Sequence, residues 1–106
     1  MTAKKLRPVH PGDILAQDFM EPLGLSAYKL AKELGVSTPT VNEIVRRRRA
    51  VTAEMALRFS RYFGTTARLW QNLQAQYDLE VASQKIGKQA ARIKAHPLDR
   101  SGALAA

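Results

Sequence analysis

The chain is 106 residues long and 45% hydrophobic, which is enough for one folded domain with a modest core and too little for two. Seventeen basic residues against nine acidic ones give a net charge of +8, which favours a polyanionic partner: DNA, RNA or an anionic membrane surface. A membrane is disfavoured, because no long apolar run exists and no helix sets a lysine-rich face opposite a leucine or tryptophan face.

The apolar spacing predicts an all-α domain of five helices with no strand. The first helix should begin at Pro11 or Gly12 and end near Pro22. Its inner face is formed by Ile14, Leu15 and Phe19.

Residues 26–49 predict a helix-turn-helix. Ser26 can cap the second helix, and Gly35 suits the left-handed backbone that closes it. Ser37 can cap the third helix. The inner stripes of the two helices are Ala27, Leu30, Ala31 and Leu34, then Val41, Ile44 and Val45. Because four arginines follow at once, this layout is typical of a motif that reads DNA.

The fourth and fifth helices complete the bundle. Thr52 is a good N-cap for the fourth, Gly64 closes it, and Thr65 or Thr66 starts the fifth. The expected inner faces are Met55, Ala56, Phe59 and Phe63 in the fourth helix and Leu69, Trp70, Leu73, Tyr77 and Val81 in the fifth.

The sequence predicts a helix-turn-helix domain over residues 1–82 and a basic, partly disordered tail over 83–106. The tail has a net charge of +4 and loses its apolar periodicity after Val81. We expect a fraying helix over 83–95 and disorder over 96–106, with Pro97 as a stop. A tail that serves solubility alone is the alternative.

The outward face of the third helix carries the candidate base-reading residues. At 100° per residue, the direction opposite the inner stripe should point into the major groove. Asn42 could pair with an adenine edge, Glu43 could accept from a cytosine amino group, and an arginine could fork onto guanine. The predicted set is Thr38, Pro39, Asn42, Glu43 and Arg46.

A second set should contact phosphates and fix the register on DNA. It consists of the arginines after the third helix and of hydroxyls at the helix starts: Ser26, Ser37, Thr40, Arg47, Arg48 and Arg49. Pro39 lacks an amide, so we expect Ser37 to cap through the Thr40 amide. The alternative is a solvated basic loop without a partner.

The long aromatic stripe of the fifth helix predicts a homodimer. Four short helices cannot easily cover it, and one such module contacts few base pairs. The expected interface is Leu73, Tyr77 and Val81. The alternative is that all three are internal.

Catalysis and cofactors find no support in the sequence. The only imidazoles belong to His10 and His96, and we expect His10 to cap or pack in its turn. There is no metal-ligand cluster, no glycine-rich phosphate loop and no cysteine. We therefore expect no enzyme activity, no cofactor and no metal, and, since Met1–His10 lacks the apolar segment of a signal peptide, a cytoplasmic location.

Six segments carry a resemblance to a known family: HPGDIL (10–15), EPLGLS (21–26), LAKELGVS (30–37), TPTVNEIV (38–45), VTAEMALRFSRYFGT (51–65) and LWQNLQAQYDLE (69–80). Together they resemble the HigA/VapI branch of the phage-repressor-like (XRE) helix-turn-helix proteins. The resemblance implies a five-helix, lambda-repressor-like domain that binds a palindromic operator as a homodimer. It also implies an antitoxin that represses its own promoter and silences a small HigB-type ribonuclease of RelE-like fold.

The chain departs from the family pattern at Arg46 and Arg47, where the family usually has an Asn-Gly pair. An arginine in the left-handed region costs about 1 kcal/mol more than glycine. A third helix that runs on for half a turn is therefore an alternative, and the orientation of both side chains stays open. A free-standing regulator without a toxin, and a basic binder of RNA or protein, remain as alternative functions.

Overall fold

The computed structural model describes residues 7–97 and contains five helical segments in that range, with no strand. The first, α1, is a continuous run of three stretches, Pro11–Ile14, Leu15–Met20 and Glu21–Leu23. The others are α2 (Ala27–Leu34), α3 (Thr38–Val45), α4 (Ala53–Phe63) and α5 (Ala67–Ala91). The predicted all-α class and helix count are confirmed.

Local capping sets most helix boundaries, as the sequence predicts. Four hydroxyls, at the starts of α2, α3, α4 and α5, each accept a hydrogen bond from the amide three residues on: Ser26, Ser37, Thr52 and Thr66. Gly35 and Gly64 take the left-handed conformation that ends α2 and α4, with φ of +76° at both.

The middle stretch of α1 is wider than an α-helix. In this stretch the backbone hydrogen bonds join residues five apart, as between the Glu21 amide and the Ala16 carbonyl. This wider turn brings residues five apart toward one face, and both Leu15 and Met20 are buried. Sequence spacing alone does not predict this change of pitch.

An aromatic cluster fills the centre of the domain. Trp70 and Phe59 are fully buried with ring centroids 4.8 Å apart, and Phe19 and Phe63 pack beside them. The indole N–H of Trp70 donates to Thr65 Oγ1 at 2.8 Å, so the polar atom of this side chain keeps a partner. The buried stripes of α2, α3 and α4 close around the cluster.

Gly12 seats α3 directly against α1. A Cβ atom at this position would lie 1.9 Å from the Ile44 carbonyl oxygen, and that oxygen belongs to backbone which cannot swing away. The absence of a side chain therefore sets the distance between the first helix and the third.

Helix α5 passes residue 82 without a break and ends at Ala91. The predicted helix in the tail is therefore four residues shorter than expected, and the domain boundary at 82 stays a prediction. The predicted disorder over 96–106 lies mostly outside the described residues. Within residues 7–97, no helix has the length and hydropathy needed to cross a membrane.

Candidate nucleic-acid interface

Helices α2 and α3 pack as a helix-turn-helix and leave one face of α3 outward. Leu34, Val41 and Ile44 are buried between the helices. Four of the five predicted base-reading residues, together with Arg48, line a single shallow depression: Pro39, Asn42, Glu43 and Arg46. The fifth, Thr38, occupies the first position of α3 and is partly exposed.

Two hydroxyls at the start of α3 are engaged in its cap. Ser37 Oγ accepts from the Thr40 amide at 3.3 Å, as predicted, and lies 2.8 Å from Thr40 Oγ1. Ser26 caps α2 through the Lys29 amide at 3.0 Å. Ser26 and Ser37 are exposed and Thr40 partly so, which leaves phosphate contacts sterically open.

The end of α3 is a tight reversal, and the alternative of a helix running on for half a turn is wrong. The Arg48 amide donates to the Glu43 carbonyl at 2.8 Å, and the Arg47 amide to the Ile44 carbonyl at 3.0 Å. These two bonds form the Schellman closure of a helix. Arg47 occupies the left-handed position with φ of +67°.

Contacts of the Arg47 side chain accompany this left-handed backbone. One terminal nitrogen, Nη2, donates to the Pro8 carbonyl at 2.5 Å, and Nε lies 3.5 Å from Asp13 Oδ2. The guanidinium carbon is 5.8 Å from the centre of the Tyr77 ring, within cation–π range. We call these four residues, Pro8, Asp13, Arg47 and Tyr77, the Arg47 clamp.

Because of the clamp, Arg47 has an orientation that differs from the expected outward one, and its phosphate contact stays a prediction. The Arg47 side chain is only 18% exposed and points into the fold, so it does not splay outward with the neighbouring arginines. Sequence reasoning missed this because the partners lie up to 39 residues away along the chain.

His10 starts α1 and borders the clamp. Its Nδ1 accepts from the Gly12 amide at 2.8 Å, while its own amide donates to Asp13 Oδ2 at 3.0 Å, which together form a capping box. Burial lowers the pKa of the His10 imidazole, against an opposing effect of the Asp13 carboxylate. The predicted capping role of His10 is confirmed.

The other three arginines point away from the core. Arg46, Arg48 and Arg49 are exposed. Arg49 forms an ion pair with Glu43, in which Nε donates to Oε1 at 2.8 Å. Two predicted contact residues therefore meet each other in the protein without DNA.

Gln74 supports the loop that follows α3, and sequence reasoning missed it. Its Oε1 accepts from the Val51 amide at 2.7 Å and its Nε2 donates to Asp78 at 2.9 Å, with the side chain buried. The available signal was a glutamine on the inner side of the fifth helix, one turn after Trp70. Through Gln74, α5 holds the chain just after the arginines.

The predicted dimer residues differ in their surroundings. Leu73 packs against the core, and Tyr77 sits between the His10 ring, 4.7 Å away edge-on, and the Arg47 guanidinium. Val81 is 37% exposed. Leu73 and Tyr77 thus have internal contacts, as the alternative expected, and their part in an interface stays a prediction.

Over residues 7–97, no group of three or more His, Cys, Asp or Glu side chains could hold a metal ion. The described residues present a helix face of polar and basic side chains, which is held in place by Gly12, the Arg47 clamp and Gln74.

Comparison with known proteins gives a consistent set of similarities. A family model described as helix-turn-helix matches residues 17–70. Virulence-associated protein I of Dichelobacter nodosus is 53% identical over 76 residues, which cover 72% of this chain and 70% of that protein. Antitoxin HigA-1 of Vibrio cholerae is 34% identical over 79 residues, 74% of each chain. The structure described as Pseudomonas aeruginosa antitoxin HigA with higBA promoter is 47% identical, with a TM-score of 0.81 over 83% of this chain and 97% of that one.

Proposed function

The chain belongs to the HigA/VapI branch of the XRE-type helix-turn-helix family, and from that premise we propose a homodimeric repressor that is also the antitoxin of a type II toxin–antitoxin module. It would bind a palindromic operator in its own promoter, in the cytoplasm, and would neutralise a small ribonuclease of the HigB/RelE type.

The observation that carries the proposal is the outward face of α3. Pro39, Asn42, Glu43 and Arg46 line one depression together with Arg48. The amide of Asn42, the carboxylate of Glu43 and the guanidinium of Arg46 are groups of the kinds that distinguish base edges in the major groove. Their convergence on one helix face supports reading of a sequence, beyond the general attraction of a basic protein to DNA.

The surroundings of that face favour contact with phosphates. Exposed Arg48 follows α3, and the capped starts of α2 and α3 present hydroxyls and helix amides. Such groups position a protein on the DNA backbone and make its affinity depend on salt. If a dimer neutralises six to ten phosphates, its affinity for DNA should fall roughly 10³- to 10⁵-fold as the salt concentration rises from 50 to 200 mM.

A second copy of the chain is the partner that best suits the far side of α5. On the side opposite Trp70, small and apolar residues recur at spacings of three and four, and all of them are exposed: Ala75, Leu79, Ala82, Ile86 and Ala90. Leu79 and Ile86 are 67% and 45% exposed. Asp78 flanks the first half of this stripe and Lys85 the second, so an antiparallel copy would bring opposite charges together.

The ribonuclease partner rests on the similarity to proteins described as HigA antitoxins. A free-standing regulator would share the DNA chemistry and lack this second partner. A small open reading frame beside the gene, if one is present, tests the difference through co-expression with this protein. A stable complex that suppresses RNA cleavage supports the antitoxin, and unhindered cleavage or the absence of any complex argues for the regulator.

The first test of the proposal is a titration against DNA from upstream of the protein's own gene and against scrambled DNA, at two salt concentrations. We expect a preference of about 10³-fold or more for the native fragment, with two protomers per site. Equal affinities that vanish together as salt is added would overturn the proposed repressor function.

The substitution Ile86→Lys, measured by sedimentation equilibrium, tests the dimer. A dimer that is unchanged by Ile86→Lys would rule out the exposed stripe of α5 as its interface.

A further inference from the structure

An acidic side chain lies in the middle of the basic α3 face. Glu43 is flanked in the depression by Arg46 and Arg48, and its side chain is 44% exposed. Near the phosphates of DNA, an uncompensated carboxylate would be repelled. The structure compensates it with one particular residue, Arg49.

The pairing of Glu43 with Arg49 has a defined geometry. Nε of Arg49 donates to Oε1 of Glu43 at 2.8 Å, and Nη2 lies 2.6 Å from the same oxygen. No hydrogen bond to the second oxygen, Oε2, occurs within residues 7–97. The guanidinium thus holds the carboxylate by one oxygen and leaves the other available as an acceptor.

The backbone keeps this pair in register. The two residues are six apart, beyond the reach of ordinary neighbours on one helix face. They meet because the chain reverses at Arg47 and the Arg48 amide bonds back to the Glu43 carbonyl. The ion pair therefore spans a fixed turn, which the Arg47 clamp holds in place.

We infer that Arg49 is a positioning residue for base recognition: it orients Glu43 and neutralises its charge, so that Oε2 accepts from the amino group of a cytosine. The inference rests on the proposed DNA-reading function and deepens it. It replaces the sequence-based expectation of a phosphate contact from Arg49. Exposed ion pairs add little to folding stability, so the value of this one lies in orientation.

The test compares Arg49→Ala with a matched control, Arg48→Ala. Both remove an exposed guanidinium from the same loop, but within the described residues Arg48 forms no ion pair. Affinities are measured on the operator, on operators with each base pair replaced in turn, and on scrambled DNA, at two salt concentrations. Glu43→Ala and the double variant Glu43→Ala/Arg49→Ala complete a cycle.

For Arg49→Ala we expect about a tenfold loss of discrimination at one base pair, the same one that Glu43→Ala affects. The double variant should lose no more discrimination at that base pair than either single variant. Because Arg49→Ala leaves the Glu43 carboxylate uncompensated, its affinity for scrambled DNA should fall as well, and the double variant, which lacks both charges, should regain that affinity. Arg48→Ala should weaken all sequences alike and flatten the salt slope by about one. Thermal unfolding of each variant confirms that the fold is intact.

An Arg49→Ala variant that loses affinity without losing discrimination at any base pair, as Arg48→Ala should, would overturn the inference and leave the DNA-reading function standing. A wild-type protein that binds operator and scrambled DNA equally would overturn both. The two failures are separate because the first appears only in the variant and the second in the unaltered protein.

Discussion

Replacing Arg47 with glycine sets backbone strain against side-chain interactions. Glycine is at ease at the φ of +67° that Arg47 adopts, so the change relieves about 1–2 kcal/mol of left-handed strain. The greater freedom of glycine in the unfolded chain takes back about 0.5–1 kcal/mol. The net relief is therefore about 0–1.5 kcal/mol.

The interactions that the same substitution removes are stronger than this relief. The bond from the guanidinium to the Pro8 carbonyl is made by a charged group and contributes about 1.5–3 kcal/mol. Stacking of the guanidinium over Tyr77 adds about 0.5–1 kcal/mol. Asp13 would also be without the cation 3.5 Å from its Oδ2. We expect Arg47→Gly to lower the free energy of unfolding by about 2 kcal/mol after the strain relief.

Thermal and urea unfolding measure this change. A loss of about 2 kcal/mol should lower Tm by roughly 10 °C in a domain of this size. Arg48→Gly is the matched control, because it introduces the same flexible residue one position on, where the side chain is exposed; it should cost about 1 kcal/mol or less. An Arg47→Gly protein as stable as the wild type would refute the reasoning and show that the interactions of the clamp do no more than offset the strain of the left-handed arginine.

Three other predictions follow from the same geometry. Gly12→Ala should destabilise the fold by about 1–3 kcal/mol in urea unfolding, because the new Cβ atom would lie 1.9 Å from a carbonyl oxygen of α3. Gly87→Ala is the control: its Cβ atom would lie 3.8 Å from the nearest side-chain atom, so this change should be neutral or stabilising. Asn42→Ala should cost about 1–3 kcal/mol on the operator alone, and a loss that is equal on scrambled DNA would contradict the placement of α3. Burial lowers the pKa of His10 below 6.5, so the unfolded chain takes up this proton first and stability should fall as the pH drops through 6.5. His10→Asn keeps a capping side chain and should flatten that dependence in unfolding curves; an unchanged slope would contradict it.

The helices and the outward face of α3 could be predicted from sequence because their causes are local. A hydroxyl such as Ser37 reaches an amide three residues away, and the stripe of Val41 and Ile44 needs only the helical repeat. The conformation of Arg47 could not be predicted in this way. Local preference opposes it, and the interactions that outweigh this preference come from Pro8, 39 residues earlier, and from Tyr77 on α5.

The pairing of Glu43 with Arg49 escaped prediction for a related reason. Helical spacing places Glu43 outward, but the position of Arg49 depends on how the chain leaves the helix. The close approach at Gly12 is another property of two segments together, since the glycine lies in α1 and the carbonyl that it admits lies in α3. Sequence reasoning predicted which face of α3 is outward, and the tertiary structure decides which side chains are exposed beside it.

The way Arg47 is held also limits how far the DNA-binding motif can be exchanged between proteins. A graft of residues 26–49 into a relative would carry the left-handed arginine but leave behind its partners Pro8, Asp13 and Tyr77. The transplanted turn would then be strained, and the helix end that leaves the neighbouring arginines exposed would be free to rewind. An exchange of operator preference should therefore move the three partners together with the motif, or place glycine at position 47.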